Sequence, residues 1–297
     1  MLKDLRLTNR VNQIWDTSGI DSPESCLDPR HYKSYPYSVQ YHYNSRGFRD
    51  QEWPTNIQNA VWAIGDSFTV GLGSAVAHTW PWLLQQQLEQ RVINVSMDGA
   101  SNNWIARRGR QIIEQTTPAM VVLQWSHIER REHGDTDYAN KRWLLHYNSV
   151  KTPDWPACPE LQDWNSLPEP IITELLTQHD QAWRHGISDE QLRLGHIKST
   201  DEQDVANTLE CMHRIESAAG TDTCIIHSFI PDFAVGPALD QIMSAVISEN
   251  WNFVPPIQVL DLARDGYHYD VLTAKKFVND LLAQDCVGNL VQSCAKY

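Results

Sequence analysis

Apolar residues in this chain fall into two patterns. In one they form short unbroken runs: Val61-Trp-Ala-Ile64, Arg91-Val-Ile-Asn-Val95, Met120-Val-Val-Leu-Gln124, Cys224-Ile-Ile-His-Ser-Phe-Ile230 and Ile257-Gln-Val-Leu260. Brief β-branched runs bounded by turn residues suit strands buried on both faces of a parallel sheet. In the other pattern they recur every three or four positions. Thr79 stands as an N-cap, with Pro81 in the first turn and Leu83, Leu84 and Leu88 on one face. Thr200-Asp-Glu-Gln203 has the form of a capping box ahead of Val205, Leu209, Met212 and Ile215. Val271, Ala274, Phe277, Val278, Leu281 and Leu282 give a last amphipathic helix. The order βαβαβ…αβαβα predicts an α/β fold: a three-layer αβα sandwich around a flavodoxin-like parallel sheet of about five strands.

Two stretches depart from this rhythm. Residues 1–58 are polar, Tyr-rich and irregular, and read as an N-terminal extension packed on the core. Within them, Ser38-Val39-Gln40-Tyr41-His42-Tyr43 alternates as a strand does. The remainder, 59–297, reads as one domain carrying an insertion at about 129–199, which holds Trp143, Trp155, Trp164 and Trp183 and several prolines.

Composition narrows the function classes. The formal net charge is −13, from 37 acidic and 24 basic residues. That speaks against a nucleic-acid backbone or an anionic membrane surface as partner, since both reward clustered cations. Arg107, Arg108 and Arg110 read as the solvated face of a helix. The opening MLKDLRLTNRVNQIWD has no apolar core of a secretory signal, and no run of 18 apolar residues suggests a membrane span, so the expected location is the cytoplasm. Six cysteines without a C-x-x-C pair read as free thiols and give no zinc pattern. Cys286 and Cys294 are near enough in sequence to pair. No metal or organic cofactor is called for, and oligomeric state is not encoded in any pattern.

Two short blocks carry chemistry. Gly65-Asp66-Ser67-Phe68-Thr69 follows the first core strand, where a serine would be presented at the carboxyl edge of the sheet. It lacks the second glycine of a G-x-S-x-G elbow. Asp265-Gly-Tyr-His268 lies between the last strand and the last helix. A serine hydroxyl needs a base to take its proton, and a histidine base needs a carboxylate to fix its tautomer. Three residues of separation let Asp265 reach Nδ1 of His268 and leave Nε2 for Ser67. Asp270 is the expected cap of the last helix, and Asp261 is a rival orienter. Each block alone also has a bland reading, as a chance turn or as helix capping; together they fall on one edge of the same sheet.

These blocks resemble the first and last blocks of the SGNH/GDSL hydrolases. Met97-Asp-Gly-Ala-Ser101 resembles their glycine block, and Asn44-Ser-Arg-Gly-Phe-Arg-Asp50 resembles an N-x-x-G-[FY]-R segment found upstream of the serine in some branches. The resemblance implies a serine esterase or deacylase working through an acyl-enzyme, on a small-molecule or glycan ester, O-acetyl groups in particular. It also implies an oxyanion hole from the N–H groups of Ser67 and Gly99 and an asparagine in a G-x-N-D block. Here that block reads Gln124-Trp-Ser-His-Ile-Glu-Arg130. His127 falls nearest the missing asparagine; Ser126, Asn102 and Asn103 are other candidates for the donor. Arg130, with Arg131, is a candidate for binding an anionic group of the substrate, or for a surface ion pair with Glu129 or Glu132. An O-acyltransferase of the same fold, and an inactive binding or structural protein, are the alternatives.

Overall fold

The computed structural model describes residues 2–128 and 201–288, except positions 3–4, 8–9, 19–20, 24–25, 27–28, 36, 221–222, 232–236 and 257, together with the backbone of 131–133 and 143–145. The elements in chain order are β1 (Ile14–Trp15), α1 (Pro29–Lys33), β2 (Tyr41–His42), β3 (Val61–Gly65), α2 (Ser67–Val70), a 3-10 turn (Val76–His78), α3 (Trp80–Leu88) and β4 (Val92–Ser96). They continue with α4 (Asn102–Gln115), β5 (Met120–Trp125), β6 (Arg131–His133), β7 (Trp143–Leu145) and α5 (Asp201–Ala218). Last come β8 (Cys224–Phe229), α6 (Pro237–Glu249), β9 (Phe253–Val254) and α7 (Val271–Leu282). Most of the insertion, including Arg130, Trp155, Trp164 and Trp183, lies outside the described residues.

The central sheet has the order β4-β3-β5-β8-β9, and each neighbouring pair is parallel. Numbered within the sheet this is 2-1-3-4-5, the doubly wound order whose ligand crevice opens where the first strand meets the third. Strand side chains alternate faces, and the cores divide accordingly. Trp62, Ile64, Ile93, Val95, Val121 and Leu123 pack with residues of α4, α5 and α6 on one face. Val61, Ala63, Val92, Met120 and Val122 pack with α3 and α7 on the other. The result is a three-layer αβα sandwich.

Both ends of the N-terminal segment are anchored. Leu2, Leu5, Leu7 and Phe48 belong to the first core, while Val39, Tyr41 and Tyr43 pack on Val70, which ends α2, and on Leu72 just beyond it. β1 and β2 pair antiparallel, Ile14 with His42 and Trp15 with Tyr41.

Several local expectations need correction. The last strand is Phe253–Val254 and 258–260 is not strand, because Pro255 and Pro256 follow Val254; Ile257 lies outside the described residues. Proline lacks the N–H that a ladder requires, so pairing with β8 stops there. Thr79 occupies the N-cap of α3 but makes no capping bond; its hydroxyl turns back to the Val76 carbonyl at 2.8 Å. Arg108 is buried and lies over the Trp104 ring, so the basic run is not wholly a solvated face. Cys286 is paired with Cys224, not with Cys294: α7 runs back against the strands and returns its carboxyl end to the side where β8 begins. Cys26 and Cys211 are free and buried, and Cys158 and Cys294 lie outside the described residues.

Candidate active site

Gly65 ends β3 because a side chain could not fit there: a Cβ would stand 2.0 Å from Thr69 Oγ1. The next residue, Asp66, caps α2 by accepting the Phe68 N–H at 3.0 Å. Asparagine and aspartate are favoured at this position because their oxygens satisfy an otherwise orphaned N–H. Ser67 is therefore the first residue of a one-turn helix that closes on Gly71, whose N–H reaches the Ser67 carbonyl at 2.9 Å. Below the turn, Thr69 donates to Gln124 Oε1 at 2.8 Å, and Gln124 Nε2 donates to Tyr269 at 3.3 Å. These bonds tie the helix to β5 and to the histidine loop.

Asp265 and His268 meet Ser67 from the far end of the chain. His268 Nε2 lies 2.8 Å from Ser67 Oγ, and Nδ1 lies 2.5 Å from Asp265 Oδ2. The other carboxylate oxygen accepts the N–H groups of Tyr267 and His268, each at 3.0 Å, so the loop folds around its own carboxylate. All three side chains are buried. Burial works against a charge on His268, but the neighbouring Asp265 carboxylate and its hydrogen bond outweigh it and raise the imidazole above its ordinary value. Burial likewise works against the Asp265 charge, and His268 with the loop N–H groups brings that carboxyl below its usual range. The His268 ring is flanked by Phe68, with centroids 4.6 Å apart, and meets Tyr267 edge-on at 5.0 Å.

The other expected residues are placed as follows. Gly99 sits in the turn after β4 with φ +70°, a backbone conformation that glycine adopts without strain. Asn102 is buried at the start of α4; its Oδ1 accepts the Ser126 N–H at 2.8 Å, and its Nδ2 donates to the Ser126 carbonyl at 3.4 Å and to Thr208 at 3.3 Å. Asn103 turns to Asn207, donating to its Oδ1 at 3.1 Å. Ser126 donates its hydroxyl to Asp66 Oδ2 at 2.6 Å, and His127 stands half-buried just beyond it. Asp261 accepts the Leu272 and Thr273 N–H groups, so it caps α7. Asp270, at the N-cap position, instead accepts from Tyr37 at 2.6 Å and pairs with His78 at 2.9 Å. Among the described residues, no group of three or more His, Cys, Asp or Glu is placed to hold a metal ion, and no helix is long and apolar enough to cross a membrane.

A second ring of residues was not singled out from the sequence. Arg49 is buried and donates to the carbonyls of Val70 (3.1 Å), Gly71 (2.5 Å), Ser74 (2.7 Å) and Gln40 (3.3 Å), with its guanidinium 4.1 Å over Tyr41. It thus holds the carboxyl end of α2, where carbonyls lack helical partners. Tyr41 accepts the Gly73 N–H at 2.7 Å and donates to Asp21, which also pairs with Arg264 at 2.8 Å beside Asp265. The N-x-x-G-[FY]-R segment was the available signal for Arg49. Asp21, Tyr41 and Arg264 carry none.

No family model and no curated protein matches the sequence. Solved structures with a similar fold include one described as a lipolytic protein of the G-D-S-L family from Desulfitobacterium hafniense, 12% identical, covering 75% of this chain and 98% of that one, with a TM-score of 0.42. The psychrotrophic esterase EstA from a Pseudoalteromonas species is 13% identical over 79% of this chain and 100% of that one, with a TM-score of 0.39. A carbohydrate acetylesterase family member from Sinorhizobium meliloti is 14% identical over 75% and 95%, with a TM-score of 0.39. These likenesses are distant, and the chemistry of the site is read from the chain's own residues.

Proposed function

We propose that this chain is a serine hydrolase of the SGNH/GDSL kind that cleaves a carboxylic ester. The observation that carries the reading is the continuous contact from Asp265 Oδ2 through both nitrogens of His268 to Ser67 Oγ, at 2.5 and 2.8 Å. In the first step His268 takes the Ser67 proton and Ser67 Oγ bonds to the ester carbonyl carbon. The C–O bond to the alcohol then breaks, and the same imidazole gives its proton to the departing oxygen. Water repeats the sequence on the acyl-enzyme and releases the acid. Asp265 holds the tautomer and steadies the imidazolium throughout. The oxyanion is assigned to the N–H groups of Ser67 and Gly99, with His127 as third donor. Arg130 is assigned to an anionic group of the substrate.

Acetyl esters on a glycan are the substrate class that the resemblance implies. The partly exposed ring of Tyr267, beside His268, offers a flat apolar face of the kind a sugar ring stacks on. The decisive measurement is labelling by a fluorophosphonate probe. The unsubstituted protein is expected to take up one label, and Ser67→Ala none. A well-folded protein that takes up no label overturns the reading.

A further inference from the structure

The bond from Ser126 to Asp66 plays no part in the proton transfers above, yet both groups are buried at the crevice where the order of the sheet reverses. Asp66 uses one carboxylate oxygen to cap the helix that carries Ser67 and the other to accept the Ser126 hydroxyl at 2.6 Å. Ser126 follows β5. Its N–H donates to Asn102 Oδ1 at 2.8 Å, in the first turn of α4 directly after the Gly99 loop. Asn102 Nδ2 goes on to Thr208 of α5 at 3.3 Å. One buried polar chain therefore runs from the nucleophile's turn through the end of the third core strand to the helix behind Gly99.

The backbone ladder does not make this connection. Pairing between β3 and β5 ends at Ile64 with Leu123, two residues short of Asp66. Beyond that point the side-chain chain continues the link. A nucleophile and its oxyanion donors must keep their mutual geometry to within a fraction of an ångström, and a bond from a neutral donor to a carboxylate is about twice as strong as one between neutral groups.

We infer that Ser126 is a positioning residue, whose hydroxyl, held by Asp66, fixes the Ser67 turn relative to the Gly99 loop at the place where a G-x-N-D block is missing. This inference rests on the hydrolase reading. It also removes Ser126 from the candidate oxyanion donors, because its hydroxyl hydrogen is committed to Asp66.

The test compares Ser126→Ala, Asp66→Asn and the double variant in ester turnover and in fluorophosphonate labelling rate. Removing a charge-assisted bond predicts that Ser126→Ala lowers kcat and labelling roughly tenfold, while KM stays within about twofold, since Ser126 does not touch substrate. Because Asp66→Asn removes the charge from the same bond that Ser126→Ala removes whole, the double variant is expected to be no slower than the slower single variant. Labelling of Ser126→Ala at the unsubstituted rate overturns the inference. So does a double variant whose loss is the product of the two single losses, or a change confined to KM. Absence of labelling in the unsubstituted protein overturns the hydrolase reading instead, and this inference with it.

Discussion

Two opposing influences set the pH at which His268 can act as a base. Its burial favours the neutral ring, while the Asp265 carboxylate favours the cation, and the cation gains on balance. A protonated imidazole cannot accept the Ser67 proton, so activity falls as pH drops through a value above the ordinary 6.5. The acid limb of kcat/KM for ester hydrolysis is therefore expected above about 6.5. Stability follows the opposite sign. The raised His268 value stabilises the fold fully below the unfolded value, and this contribution is lost as pH rises through the folded one. Asp265→Asn removes both the charge and the tautomer lock, with an expected loss in kcat of between about 10²- and 10⁴-fold. Its acid limb should move down, and a pH–rate profile of the residual activity reads both effects. At this scale the sequence was informative because Gly65-Asp66-Ser67 and Asp265-Gly-Tyr-His268 each carry their chemistry within a few residues. Arg264 and Asp21 pair across 243 positions, and no local pattern announces such a contact.

At the scale of elements, the cap of α7 comes from Asp261 and not from Asp270, the expected cap. Asp261 caps α7 through Leu272 and Thr273, whereas Asp265 lies on His268. Asp261→Ala should cost about 1 kcal/mol in a denaturant unfolding curve, the usual worth of an N-cap. Labelling of Ser67 should be unchanged, in contrast to Asp265→Asn. A loss of labelling in Asp261→Ala would show that the cap also shapes the triad. Gly65 gives a complementary case. A methyl group there meets Thr69 Oγ1, so Gly65→Ala forces α2 away from β3 at an expected cost of about 1–3 kcal/mol. Labelling should fall with it, because the displaced residues are those that hold Ser67. The strands and amphipathic helices were legible from periodicity, since burial on one or two faces writes itself into the pattern. Capping was not, because Asp261 and Asp270 have the same chemistry and only the path of the chain decides which reaches the helix.

At the scale of the whole molecule, the site and its supports occupy the carboxyl edge of the sheet, while the Cys224–Cys286 bond lies at the opposite edge. Cys224 begins β8 and Phe229 ends it, a span of about 17 Å at the usual rise per residue. The sequence alone could not reveal this pairing: the two cysteines are 62 residues apart, and proximity comes only from α7 folding back against the strands. Closing a loop of that length restricts the unfolded chain, and the chain-entropy relation gives about 4 kcal/mol as the full effect, with about 2–4 kcal/mol typical. Replacing both cysteines by serine, or adding reductant, should lower the denaturant midpoint by an amount corresponding to that range. The labelling rate of the folded protein should be unaffected, because the Ser67 turn is held by Arg49, Tyr41 and Asp66, and His268 by Asp265, at the other end of the strands. An unchanged midpoint would mean that the two thiols do not close in solution. A lower labelling rate under conditions where the protein remains folded would mean that strain at one edge of the sheet reaches the other.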